Sequence, residues 1–387
     1  MSRRVASARA PKMRSWSSIS CIDTTIRLYR APCQRCATVS SGGDRLTVAL
    51  ALTREQILAY RRRVQALDER LPFGPESLRH AAWAGLQDSV PRSALHALHA
   101  RVAGVPLDVL DDPALVQVWG PRYAAYVVPA SDHLPFTLGR LPPKGRMRER
   151  AEDLAARLAA HLDGRTLRAD EAAQAIGDVG NAIRYATLTG TVLIRWHGAR
   201  EPTVWTVPRS AHTSAEALEE LVRRYLHVLG PSTIDAFVRW GGVDGPAASA
   251  AFDALESELM RVRTPHGDAQ LLVEDLPVMR EPPTPTEAVR LLPSGDPYYL
   301  LWDGDRELLV AEAARRAELW TSRVWPGALL VGGEIAGIWR RSKATVIATP
   351  WRRLSGLERA AIEAEAASLP LPDVASAGAV QWDAGAA

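Results

Sequence analysis

The chain has 387 residues, 47% of them hydrophobic, which is enough for two or three cores at roughly 100–200 residues per domain and too much for a small disulfide-stapled module. Apolar runs such as residues 46–52 and 328–331 fall well short of the ~18 residues a bilayer crossing needs, so no membrane span is expected. The net charge of +3 hides a division: residues 1–45 carry nine basic groups against Asp23 and Asp44, and the remainder holds 38 basic and 42 acidic groups, so only local patches of the body can neutralise nucleic-acid phosphates.

Residues 1–45 are Ser/Arg-rich without a sustained apolar period and read as a disordered or mis-assigned N-terminal extension. They contain all three cysteines. Cys33 and Cys36 have the spacing of half a zinc or redox site, but a structural zinc needs four ligands and no second Cys/His pair stands nearby, so neither a metal nor a cofactor is expected. A body without cysteine fits the cytoplasm.

Order begins at Thr53, where Thr53 and Gln56 match a capping box and Ile57, Tyr60, Val64 and Leu67 follow at helical spacing. Helices are predicted next over 76–86 and 92–102, then strands over 116–119 and 123–128 around Gly120 and Pro121. After a Pro/Gly/Arg linker at 141–148 the same order returns: helices over 150–162, 169–176 and 178–188, then strands over 191–196 and 203–207. The third copy opens on the capping box Thr213 and Glu216, with helices ending near Gly230 and over 233–240 and 247–259, and strands over 260–263 and 270–274. Three helices followed by a hairpin is the order of a winged helix, which offers a helix to the major groove and a hairpin to the backbone or minor groove.

The expected fold class is therefore α+β, with winged-helix units at 50–140, 149–210 and 213–280. After the proline-rich stretch at 282–285, short apolar runs at 298–302, 308–310, 328–331 and 345–348 predict a β-rich, barrel-like C-terminal domain over 287–370 with one helix at 357–369, and a disordered tail at 371–387. Double-stranded DNA is the expected partner of what reads as a monomer without a small-molecule cofactor.

In the middle unit Val179, Ile183 and Ala186 share one face of the predicted helix, and Asn181, Arg184 and Thr187 another that suits base edges. Solvated polar residues on an ordinary helix give the same pattern. Arg195, His197 and Arg200 of the following hairpin, and Arg122 of the first, are candidate DNA contacts. So are two basic clusters: Arg140, Lys144, Arg146, Arg148 and Arg150, and Arg340, Arg341, Lys343, Arg352 and Arg353, the latter bracketed by Trp339 and Trp351. Phosphate loops, dinucleotide glycine patterns, nucleophile elbows and His-Glu-x-x-His helices are missing from the sequence. One connection remains, Gln87, Asp88 and Ser89 ahead of the third helix: an amide beside a carboxylate suits holding a water, and Asp88 or Ser89 before Pro91 suits a helix start equally.

The segment Gly85-Leu86-Gln87 resembles the opening of the catalytic motif of the AlkZ-like DNA glycosylases. The stretches 116–129 (VQVWGPRYAAYVVP), 224–233 (RYLHVLGPST) with Phe237 and Trp240, and 291–299 (LLPSGDPYY) resemble later parts of that family in the same order, covering about residues 50–350. The resemblance implies three winged-helix units and a β-barrel around duplex DNA, and hydrolysis of an N-glycosidic bond weakened by alkylation. It places Gln87 on the first catalytic position and Ser89 where the family has Gln or Asp. The family's Arg-x-Thr-x-His strand reads Arg122-Tyr-Ala-Ala-Tyr126. The readings that follow are a DNA-binding protein with a degenerate catalytic motif, an active glycosylase using Gln87 and Asp88, a transcriptional regulator reading DNA with Asn181 and Arg184, and an interaction scaffold.

Overall fold

The computed structural model describes residues 50–387 except 91, 197–200, 373, 375–378 and 384–387. The chain partitions between Thr47 and Val48, and everything described belongs to the second part. The cysteine pair, His197 and Arg200 thus lie outside the described residues.

The first helix, Arg54–Val64, starts as its capping box requires: the Thr53 hydroxyl accepts from Gln56 N while the Gln56 side chain accepts from Thr53 N. The second, Pro75–Ala81, is shorter than predicted, because Gly85 (φ +76°) turns the chain into a strand, Leu86–Gln87. A Cβ there would stand 2.8 Å from the Phe136 ring, so only glycine fits both the turn and the contact. The third helix, Ser93–Arg101, leads to the first hairpin, Leu115–Trp119 with Ala125–Pro129, and Leu86–Gln87 pairs with the hairpin's far edge through Leu86↔Val127 and Gln87↔Tyr126.

In the second region the helix begins at Arg146 rather than 150 and runs to Leu162, which puts Arg146 and Arg148 in its first turn and not in a linker. A strand, Leu167–Arg168, and a helix, Ala169–Ala175, follow. The predicted helix over 178–188 is a 3-10 run, Gly180–Thr189, and its faces differ from those expected. Val179 is exposed, and Thr187 is buried with its hydroxyl donating to Val192 O, because the end of the run tucks beneath the second hairpin, Val192–Arg195 with Thr203–Thr206. Gln117↔Ile194 joins the two hairpins, so the first two regions share one six-stranded sheet.

The third region repeats the order with a capping box at Thr213/Glu216 (Ser214–Leu229), side-chain caps at Thr233 (Ile234–Gly241) and Asp244 (Gly245–Ala254), and a hairpin, Leu259–Thr264 with Gly267–Leu272. Tyr225, Phe237, Trp240 and Phe252 interlock at its centre. Leu50–Ala51 pairs in parallel with this hairpin, tying the start of the described chain to its third region.

The C-terminal strands, Val289–Leu292, Gly327–Val331, Glu334–Ser342, Thr345–Pro350 and Val380–Trp382, lie in that order in an open sheet, with the helix Gly356–Ala367 after the fourth. The expected barrel does not close among the described strands. Residues 380–382, expected in a disordered tail, pair with Thr345–Pro350. Two apolar runs that looked like strands are a 3-10 turn, Pro297–Tyr299, and the end of a helix, Gly304–Leu309.

Buried ion pairs bind this sheet to the first helices. Arg101 grips both oxygens of Asp296 at 2.7 and 2.8 Å, also donating to Gln65 Oε1 and Ala97 O, and the Asp296 carboxylate accepts Tyr298 N. Arg61 donates to Asp305 at 2.7 Å, and Arg70 pairs with Glu365. Removing one member of a buried pair leaves the other charge without compensation. Asp296→Ala is therefore expected to cost about 3–5 kcal/mol in urea unfolding, and the double variant Arg101→Met/Asp296→Leu to recover much of it.

Candidate nucleic-acid interface

Gln87 and Asp88 sit on neighbouring positions of an extended segment and so point to opposite sides. Gln87, half-buried, accepts at Oε1 from Arg122 Nη2 (3.0 Å) and from the Tyr126 hydroxyl (3.3 Å). Because a guanidinium only donates, the amide oxygen must face Arg122 and the NH2 group must face away. That NH2 meets the turn at Gly295 (φ +76°), where a Cβ would stand 3.1 Å from Nε2. Arg122 also donates to Trp240 O and, at 3.2 Å, to the Tyr126 hydroxyl, and its guanidinium carbon lies 4.8 Å from the centre of the Trp302 ring. The first hairpin, the third helical region and the turn after Leu292 converge here.

Arg122, a candidate DNA contact, is part-exposed and directs its terminal nitrogens to groups within the protein, Gln87 among them. Tyr126, at the last position of the strand motif that Arg122 opens, supplies a phenol to the same amide oxygen. The sequence signal was present in the Gln87↔Tyr126 pairing, which needs the strand at 86–87 that helical periodicity concealed.

Asp88 does not accompany Gln87. It is buried, accepting from Ala94 N at the start of the third helix (3.0 Å) and from Gln117 Nε2 (3.2 Å), while Gln117 Oε1 accepts from Trp196 N. Burial pushes its carboxyl up to about 7 although those donors favour the charged form. Its place is that of the helix-start residue and not of a carboxylate beside Gln87.

Ser89 is exposed and lines a cavity of about 370 Å3 with Asn181, Arg184, Tyr123 and Glu201, so the structure brings Ser89, Asn181 and Arg184 together. Arg195 is tied to Leu110 O and lies 3.4 Å from Asp111. In the first basic cluster Arg140 is a core residue: it donates to the carbonyls of Gly120 and Gly241, and burial lowers its guanidinium to about 10. Arg148 pairs with Glu152 at 3.1 Å, while Arg146 and Lys144 are exposed. In the second cluster Arg340 and Arg341 are exposed along a cavity of about 300 Å3 that Val90, Ser93 and Trp325 also line, and Lys343 stands at the hairpin tip. Arg352 is held by Glu358 at 2.6 Å. The bracketing indoles are structural: Trp339 donates to Leu292 O and Trp351 to Glu318. Among the described residues no three His, Cys, Asp or Glu side chains are grouped as a metal would need, and no helix is long and apolar enough to cross a membrane.

The chain is a mixed α+β protein whose helix-and-hairpin regions meet around one oriented glutamine, and its comparison with known families defines the class as DNA glycosylase-like. The family model described as DNA glycosylase AlkZ-like matches residues 79–370, and the chain belongs to that family. It is similar to an interstrand DNA cross-link repair glycosylase of Streptomyces sahachiroi, 23% identical over 296 residues that span 66% of this chain and 78% of that protein. The solved structure of S. sahachiroi DNA glycosylase AlkZ superposes with a TM-score of 0.70 at 20% identity, covering 86% of this chain and 100% of that one.

The state of Asp88 sets a pH dependence. Its folded value lies above the 3.8 of a free aspartate, so the stability it contributes is present below that pH and lost as pH rises through about 7. Unfolding free energies measured between pH 4 and 7 are expected to fall by at most about 1.4 kcal/mol per pH unit from this group. Asp88→Asn should flatten that slope, whatever constant offset its changed donor set adds.

Proposed function

We propose that the protein binds duplex DNA through three winged-helix units and holds an alkylated or cross-linked site against Gln87, with a catalytic motif reduced to that residue. The order of helices and hairpin in each region supports the winged-helix reading. So does the strand between helices that joins the hairpin: Leu167–Arg168 in the second region, and the bridge Ser232↔Gln270 in the third. The exposed Arg146, Arg184, Arg340, Arg341 and Lys343 give an otherwise acidic body local places to meet phosphates. Action as a cytoplasmic monomer without a cofactor accompanies this reading.

The polarity around Gln87 carries the proposal. A guanidinium stands 3.0 Å from its amide oxygen, and among the described residues no carboxylate is hydrogen-bonded to its side chain. Loss of an alkylated purine leaves a sugar with oxocarbenium character, which a nearby anion stabilises and a nearby cation opposes. The arrangement favours holding a polyanion over accelerating bond cleavage.

Active excision is the second reading, favoured by the fixed orientation of Gln87 and by the family of the chain. Two assays separate them. Retention on duplex DNA that weakens steeply with salt is expected, together with no difference between wild type and Gln87→Ala in release of free 7-methylguanine from alkylated duplex. Release by the wild type alone would establish excision, and retention independent of salt would remove the DNA-binding reading.

A further inference from the structure

The segment after Trp302 holds a cation whose donors are mostly unused. Arg306, on the helix Gly304–Leu309, donates from Nε to Leu301 O at 2.6 Å. Its guanidinium carbon lies 5.7, 5.1 and 5.3 Å from the ring centres of Trp302, Trp320 and Trp325. Its two terminal nitrogens have no hydrogen-bond or ion-pair partner among the described residues. The neighbouring acids make their ion pairs elsewhere, Asp303 with Arg239 at 2.7 Å, Asp305 with Arg61 at 2.7 Å, and Glu307 with Arg316 and His266 at 3.5 and 3.7 Å, although the Asp303 charge still acts on Arg306 from a distance.

The indoles are not free to collapse onto the cation or to leave it. Trp320 Nε1 donates to Tyr299 O and Trp325 Nε1 to Thr321 O, both at 3.0 Å. They form a fixed aromatic wall that desolvates the guanidinium, and this burial lowers its pKa. Ring faces attract a cation but satisfy none of its N–H groups, so the terminal nitrogens of this half-buried residue keep a demand for acceptors that water or a ligand can meet. A planar fork of donors with that demand matches the oxygens of a phosphodiester.

Position supplies the ligand's source. Trp302 lies beneath Arg122 as well as Arg306, and Arg122 is the residue that orients Gln87. Trp325 lines the cavity that Arg340 and Arg341 also line. Arginine and tryptophan thus alternate from Gln87 to the C-terminal hairpin. We propose that Arg306, set in its wall of three indoles, is a binding site for a backbone phosphate of the DNA strand that lies beside Gln87. This rests on the DNA-binding reading above.

The test uses the full chain and a duplex probe over a series of salt concentrations. Arg306→Gln is expected to weaken binding several-fold and to reduce the slope of log affinity against log salt by about one, whereas Arg306→Lys keeps the slope. Thermal melting and circular dichroism establish that each variant is folded. A set of duplexes with single neutral methylphosphonate linkages gives an independent measure that does not depend on the glutamine variant folding. One linkage should weaken binding by the wild type, and the same linkage should cost Arg306→Lys less. A folded Arg306→Gln with the wild-type slope, or no linkage that matters to the wild type, overturns the phosphate site while leaving duplex binding in place. Salt-independent binding by the wild type overturns the DNA-binding reading and the site with it.

Discussion

Arg122 donates to a main-chain carbonyl at Trp240, to a phenol at Tyr126 and to an amide oxygen at Gln87, and it rests on the indole of Trp302. These groups come from the first hairpin, the strand before the third helix, the third helical region and the C-terminal segment. A residue with left-handed backbone (φ +54°) is needed to aim the side chain this way, at a turn where Gly242 packs against it closely enough that a Cβ would stand 3.3 Å away. Since the guanidinium can only donate, the orientation of Gln87 follows from it, and so does the positive potential at that amide.

The same logic runs through the buried framework. Asp296 sits one residue beyond Gly295, so the Arg101 pair that anchors the carboxylate also sets the turn against which Gln87 packs. Arg61 and Asp305 do the equivalent for the segment that carries Trp302 and Arg306, with Ser232 donating to the same carboxylate. A chain this rich in arginine spends part of its positive charge inside, on carbonyls and paired acids. The surface charge left for a polyanion is therefore less than composition suggests, and its location matters more than its sum.

Charge is also partitioned around the candidate site. The one acid adjacent in sequence, Asp88, is taken into the core, where it secures the start of a helix and, through Gln117, reaches the backbone of Trp196. Around Gln87 stand the part-exposed guanidinium of Arg122 and indole of Trp302, with the buried phenol of Tyr126 behind them. Such a surface suits tracking a phosphate backbone by charge and aromatic contact, and it gives a developing cation little support.

Much of the local structure was legible in the chain. Capping boxes at Thr53 and Thr213, apolar spacing and turn residues located most helices and the three hairpins, because these signals act between residues close in sequence. The quoted motifs located Gln87. Which arginines were free was not legible, since Arg122, Arg140 and Arg195 find their acceptors on segments distant along the chain. Nor was the split between Gln87 and Asp88, which follows from a two-residue strand pairing with the first hairpin. Of the aromatic wall around Arg306, Trp302 lay in a run expected as a strand, whereas Trp320 and Trp325 lay outside every run singled out. Local sequence thus determined the elements and one candidate residue, and long-range packing decided which charges are sequestered and which remain to meet a ligand.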